Sequence, residues 1–215
     1  MKETFLFKIL EIENISILEQ ELAVFYKRHR TVGVVNRKNK DGNTIMILSD
    51  PNNPEADSLG PLEKFTFVHL DSNRVMNHLP ELQKYFIKNN LGDIERIAYV
   101  STPPHSINAT HMDQGPEILA LNFPLTDCSS SYTQFLKNNG RLEAVELIDI
   151  VKGTKEKRKF MKFVTDDPIE VGRYTLNGPV MLNIKQPHGV INYGPVLRAG
   201  ISFRFKKDPW HLVGE

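Results

Sequence analysis

A single cysteine, Cys128, among 215 residues rules out an intramolecular disulfide framework and makes a reducing compartment the simpler assumption. No apolar run approaches the roughly 20 residues needed to cross a bilayer. Residues 1–10 carry Lys2, Glu3 and Lys8, which break the hydrophobic region that a signal peptide requires. A cytoplasmic protein without a membrane segment is therefore expected. An excess of one charge is lacking too: 27 Lys and Arg stand against 26 Asp and Glu, a formal net charge of +1. That balance disfavours binding driven mainly by nucleic-acid phosphates. The chain has no internal repeat and no low-complexity segment.

What is present suits one domain with a sizeable core. Residues 5–12 read as a strand. Ile15, Leu18, Leu22 and Phe25 recur at helical spacing over residues 15–29, and Lys27, Arg28 and Arg30 suit the negative pole of that helix. Asp41-Gly42 is a hairpin turn signal before a strand at 44–48. Residues 49–61, with three prolines, form a surface loop that reads as a connection rather than a lid. A strand at 65–70 follows, then a segment that Asp71 or Ser72 caps, with Leu79, Leu82, Phe86 and Ile87 at helical spacing up to Gly92. Short β-like runs then dominate: 96–101, 118–125, 131–136, 142–151, 159–164, 180–184, 188–192 and 197–205. Many short strands at regular spacing make a sandwich, jelly roll or barrel. The expectation is a mainly β, α+β single domain, with residues 1–95 an extension packed on a core of residues 96–206.

The chemistry concentrates around His111-Met112-Asp113. In extended backbone, side chains two residues apart point the same way, so His111 and Asp113 can serve one ion while Met112 turns aside. Two His and one carboxylate on one face of an octahedron is the usual arrangement of a non-haem Fe(II) centre that activates oxygen. His188 is the best second imidazole: Pro187 stiffens its approach and Gly189 leaves space on its flank. Arg198 follows ten residues on. Alternation there puts Leu197, Ala199, Ile201, Phe203 and Phe205 on one face and Arg198, Gly200, Ser202 and Arg204 on the other. An Arg buried in a barrel mouth requires an anion, and a dicarboxylate would pair with it through two parallel hydrogen bonds, with Ser202 adding another. His69-Leu70-Asp71 repeats the His-x-Asp pattern, but a helix-like segment follows it and Asp71 has an ordinary capping role.

His111-x-Asp113, His188 and Arg198, within a β-rich half spanning roughly residues 96–206, resemble the Fe(II)/2-oxoglutarate-dependent oxygenase superfamily. Leu119-Ala120-Leu121-Asn122-Phe123-Pro124-Leu125, with Cys128 and Ser131-Tyr132-Thr133, is similar to the branch around the aspartyl/asparaginyl β-hydroxylases. The resemblance implies a double-stranded β-helix, a cupin-like jelly roll. It also implies His111, Asp113 and His188 as iron ligands and Arg198 as partner of the distal carboxylate of 2-oxoglutarate. Asn122 and Tyr132 are further candidates for that cosubstrate. Two departures stand out. Asp113 is present where some members of that branch lack a carboxylate ligand, and position 200 is Gly where several superfamily members place Ser. Arg204 reads as exposed near its strand end, His105 as part of an exposed loop, and Trp210 and His211 as a terminal tail.

The implied function is a hydroxylase that uses Fe(II), O2 and 2-oxoglutarate, releases succinate and CO2, and acts on a small molecule or a peptide side chain. Two alternatives stay open. A non-enzymatic jelly-roll module needs no metal, and a metal-dependent cupin enzyme of other chemistry needs the His/Asp/His set without Arg198.

Overall fold

The computed structural model describes residues 5–29, 35–38, 44–47, 66–151 and 154–214. The 49–61 loop and the Asp41-Gly42 turn lie outside these residues. In chain order the elements are β1 (Phe7–Ile9), α1 (Ile15–His29), β2 (Val35–Lys38), β3 (Thr44–Ile47), β4 (Thr66–Leu70), α2 (Ser72–Met76) and α3 (Pro80–Lys88). There follow β5 (Ile94–Thr102), β6 (Ser106–His111), β7 (Leu119–Pro124), β8 (Ser131–Leu136), β9 (Arg141–Val151) and β10 (Thr154–Val164). The chain ends with β11 (Glu170–Tyr174), β12 (Val180–Asn183), β13 (His188–Asn192), β14 (Arg198–Phe205) and a 3-10 turn at Trp210–Leu212.

Two six-stranded antiparallel sheets face each other in a double-stranded β-helix, the jelly roll that the sequence leads one to expect. The first sheet runs β1-β12-β7-β14-β5-β4 and the second β11-β8-β13-β6-β10-β9. Residues before 96 are more than an extension, because β1 and β4 form the two edge strands of the first sheet. Two strands of the second sheet, β6 and β11, lie where the apolar pattern is faint: Ser-Ile-Asn-Ala-Thr-His and Glu-Val-Gly-Arg-Tyr.

The two faces of β14 explain the layering. Ala199, Ile201, Phe203 and Phe205 pack outward against Leu18 and Leu22 of α1 and Leu82 and Phe86 of α3. Phe203 meets Phe86 and Phe123 edge-on at 5.0 and 6.0 Å between ring centroids, an arrangement favoured by the ring quadrupoles. α3 has no side-chain cap of its own. The Glu21 carboxylate of α1 accepts the Glu81 and Leu82 amides at 2.8 and 2.9 Å, which satisfies the start of α3 and fixes the two helices together. The inner face of β14 lies against a second apolar cluster that includes Ala120, Phe135, Leu176, Val180, Leu182 and Ile184. No helix among the described residues is long and apolar enough to cross a membrane.

The helix-covered face of β14 holds the first sheet in place, so Phe203→Ala should lower stability by about 3–5 kcal/mol in urea denaturation. A loss below about 1 kcal/mol would mean that this face is not the main core.

Candidate metal centre

β6 and β13 lie side by side, and His188 is the register partner of His111. The next pair is Val190 with Asn108, so β6 spends three steps where β13 spends two. This bulge shifts the phase of β6 by one residue and turns His111 to the same face as His188. Gly189 sits opposite the bulge, where a Cβ would stand 3.0 Å from Asn108 O and 3.1 Å from Thr110 Oγ1. The small residue beside His188 thus makes room for the bulged strand, which is what brings the imidazoles to 4.5 Å between ring centroids.

The chain then leaves β6, and the Asp113 amide donates to Ile184 O at 3.0 Å, which holds the carboxylate back toward the imidazoles. His111, Asp113 and His188 each offer one ligand atom within 4.8 Å of the others. Their hydrogen bonds define the donor atoms. Nδ1 of His111 lies 2.9 Å from Ala109 O and Nδ1 of His188 lies 2.9 Å from Gln186 O. A carbonyl only accepts, so each Nδ1 carries a proton and Nε2 is the nitrogen that each ring turns to the cluster. Nε2 of His111 faces Asp113 Oδ1 at 3.4 Å, so an imidazole nitrogen and a carboxylate oxygen converge on one point. Two ligands at right angles on one divalent ion stand about 3 Å apart, so the residues fit such an ion.

Electrostatics agree. Burial opposes ionisation of Asp113, but the His111 hydrogen bond and the charge of Arg204 outweigh it and hold the carboxyl well below its usual range. Burial, with His111 beside it, pushes His188 down to about 4 against the pull of Asp113. Both groups are therefore in their metal-binding forms at neutral pH.

Arg204, read from the sequence as exposed, is buried, with Nη2 donating to Asp113 Oδ2 at 2.7 Å. Its Nη1 donates to Ser202 Oγ, which in turn donates to Asn122 Oδ1. Ser202 and Asn122, expected to meet a cosubstrate, thus brace the arginine that orients the aspartate. Arg198 is buried elsewhere on the same face and donates from Nη2 to Thr133 Oγ1 at 3.1 Å. Its Nε is buried without a partner, and among the described residues no carboxylate pairs with it. Thr102, its register partner, has a buried hydroxyl that is likewise unpartnered. Thr133 stands two residues from Phe135, the register partner of His188, whose rings pack 6.0 Å apart, so the hydroxyl that meets Arg198 lies about 7 Å along the strand from the His/Asp/His cluster.

Tyr132 is not brought to either place. It lies on the opposite face of β8 from Thr133, under the Arg173 guanidinium at 4.6 Å and beside Tyr193. His105 occupies an exposed turn with φ of 51°. Trp210 packs on Phe5, and His211 meets Asn89 O at 2.8 Å, which docks the tail on the end of α3. Asp71 stands at the N-cap position of α2, its carbonyl accepting the Val75 amide at 3.0 Å. Thr133, Asp208 and Lys185 escaped the sequence reading. The Asp208 carboxylate accepts the Ile118 and Leu119 amides at 2.9 to 3.1 Å and fixes the entrance to β7.

No family model and no curated protein matches this sequence. Solved structures do match in fold. EvdO2 from Micromonospora carbonacea var. aurantiaca, complexed with 2-oxoglutarate, is similar with a TM-score of 0.50 and 14% identity, over 94% of this chain and 86% of that one. A Pseudomonas putida prolyl-4-hydroxylase gives 0.46 and 10%, over 95% of each chain. SnoK, a non-haem α-ketoglutarate-dependent carbocyclase from nogalamycin biosynthesis, gives 0.48 and 10%, over 94% of this chain and 79% of that one. At such identities the likeness is one of fold alone. The narrower likeness to aspartyl/asparaginyl β-hydroxylases finds no support among these structures.

The buried, neutral His188 binds a proton more weakly in the folded than in the unfolded chain, so with metal removed by chelator stability should fall as pH drops from about 6.5 to about 4. The depressed Asp113 adds to the loss below the ordinary carboxylate range. Urea denaturation across this window should show the slope, and His188→Gln should flatten it. An unchanged slope in that variant would contradict the burial argument.

Proposed function

We propose that the chain is an Fe(II)- and 2-oxoglutarate-dependent oxygenase that hydroxylates a small molecule or a peptide side chain. The observation that carries this reading is His111 Nε2 facing Asp113 Oδ1 at 3.4 Å, with His188 beside it and Arg204 on the far carboxylate oxygen. Bound to one ion, the three residues would take one face and leave the other positions to exchangeable groups. A buried Arg198 without a carboxylate partner favours the 2-oxoglutarate-dependent reading over a cupin enzyme of other chemistry, because an uncompensated guanidinium in a protein interior is costly.

Iron with 2-oxoglutarate and O2 would supply oxidation of a substrate C–H bond, with succinate and CO2 as co-products. The protein's part is to hold and to exclude. His111 and His188 would donate Nε2, their tautomers set by Ala109 O and Gln186 O. Asp113 would donate Oδ1 while Arg204 keeps its other oxygen occupied. Arg198, with the hydroxyls of Thr133 and Thr102, would receive the distal carboxylate. The buried apolar side chains of Phe135, Leu176 and their neighbours would exclude water there.

Anaerobic addition of Fe(II) and then 2-oxoglutarate should give a visible metal-to-ligand charge-transfer band. Loss of a charge-assisted pair should weaken 2-oxoglutarate binding about 10- to 100-fold in Arg198→Ala while Fe(II) binding is kept. A folded protein that binds Fe(II) without any such band would contradict the proposal.

A further inference from the structure

Lys185 lies three residues before His188, in the turn between β12 and β13, yet its ammonium reaches the segment that carries the aspartate. Nζ donates to Asp113 O at 2.9 Å and to Gly115 O at 2.7 Å. Three donors on one tetrahedral ammonium can meet two carbonyls converging from a single loop, and a charged donor makes each bond stronger than a neutral one. The turn that carries Lys185 is itself held. Its amide donates to Asn183 Oδ1 at 2.9 Å, Asn183 Nδ2 donates to Phe5 O at 3.1 Å, and the Ile184 amide donates to Ile118 O at 2.9 Å.

On its other flank the same loop is wedged against the Arg96–Glu117 ion pair. A Cβ at Gly115 would stand 2.6 Å from both Arg96 Nη2 and Glu117 Oε2, and the residue has φ of 116°, where glycine is favoured. Three cations therefore meet the loop. Lys185 meets the carbonyls of Asp113 and Gly115, Arg96 lies 3.5 Å from Gln114 O, and Arg204 meets the Asp113 carboxylate from the barrel side. Together with the Asp113 amide bond to Ile184, the Lys185 ammonium ties the main chain at Asp113 to the turn leading to His188.

We infer that Lys185 is a positioning residue for Asp113: through the carbonyls of residues 113 and 115 it sets where the carboxylate stands relative to His111 and His188. This rests on the metal reading of that cluster. It adds a device that acts on the ligand through its backbone, at a distance from the coordinating atoms.

The test uses Co(II) as the probe, titrated into the full chain and into Lys185→Met while the visible ligand-field spectrum is followed. Metal-free thermal unfolding is recorded in parallel. Loss of such a supporting contact should weaken Co(II) binding about 10- to 100-fold and alter the band energies and intensities. If Lys185→Met does not fold, Lys185→Gln, which keeps a shorter neutral donor, is judged by the same readouts. Wild-type affinity with an unchanged spectrum in the folded variant would overturn the inference, as would a lower melting temperature with both metal readouts intact, since that is the mark of a purely structural lysine. A wild-type chain that binds no Co(II) would overturn the metal reading itself and the inference with it, a failure recognisable because it precedes any substitution.

Discussion

An imidazole nitrogen and a carboxylate oxygen held face to face in a partly buried site are the constraint on which the rest of the structure depends. The hydrogen bond from Nδ1 to Ala109 O points His111 Nε2 at Asp113 Oδ1, 3.4 Å away. Neither side chain can turn freely away. The bulge in β6 aims the imidazole, Gly189 gives the bulge its space, and Arg204 holds the other carboxylate oxygen. Donor atoms fixed in this way would hold a cation with little rearrangement.

β14 supplies much of the remaining design. Its outward residues build the core against α1 and α3, and its inward residues carry two arginines with different fates. Arg204 is neutralised from within by Asp113 and braced by Ser202 and Asn122. Among the described residues Arg198 donates to one hydroxyl, that of Thr133, and its buried Nε has no partner. One cation on the strand is thus neutralised by a carboxylate of the chain, whereas among the described residues the other is not. Gly200, between Arg198 and Ser202, has Leu176 Cδ2 and Phe123 O at 3.1 Å from where a Cβ would be, so a side chain there would press on both.

The features legible in the sequence are those fixed by local periodicity and by residue chemistry. The two faces of residues 197–205 follow from alternation, helix α1 from its apolar spacing over Ile15–His29, and the grouping of His111, Asp113 and His188 from ligand chemistry. Partners chosen through space were not legible. Arg204 looked exposed because the acid that buries it lies 91 residues away. Ser202 and Asn122 were given to a cosubstrate because nothing local shows that Arg204 occupies them. The side of the sheet that Tyr132 faces depends on the phase of Ser-Tyr-Thr-Gln-Phe-Leu, where polar and apolar residues alternate too weakly to decide it. Strand β6 was hidden twice, by its weak pattern and by the bulge that breaks its period. Lys185 sits in a turn, where periodicity carries no information about contacts.

The most direct test of the central claim is anomalous diffraction from crystals grown anaerobically with Mn(II) and 2-oxoglutarate. One anomalous peak is expected, bonded to His111 Nε2, Asp113 Oδ1 and His188 Nε2, with the far carboxylate of 2-oxoglutarate on Arg198. An ion bound elsewhere, or 2-oxoglutarate absent from Arg198 while the ion is in place, would contradict it.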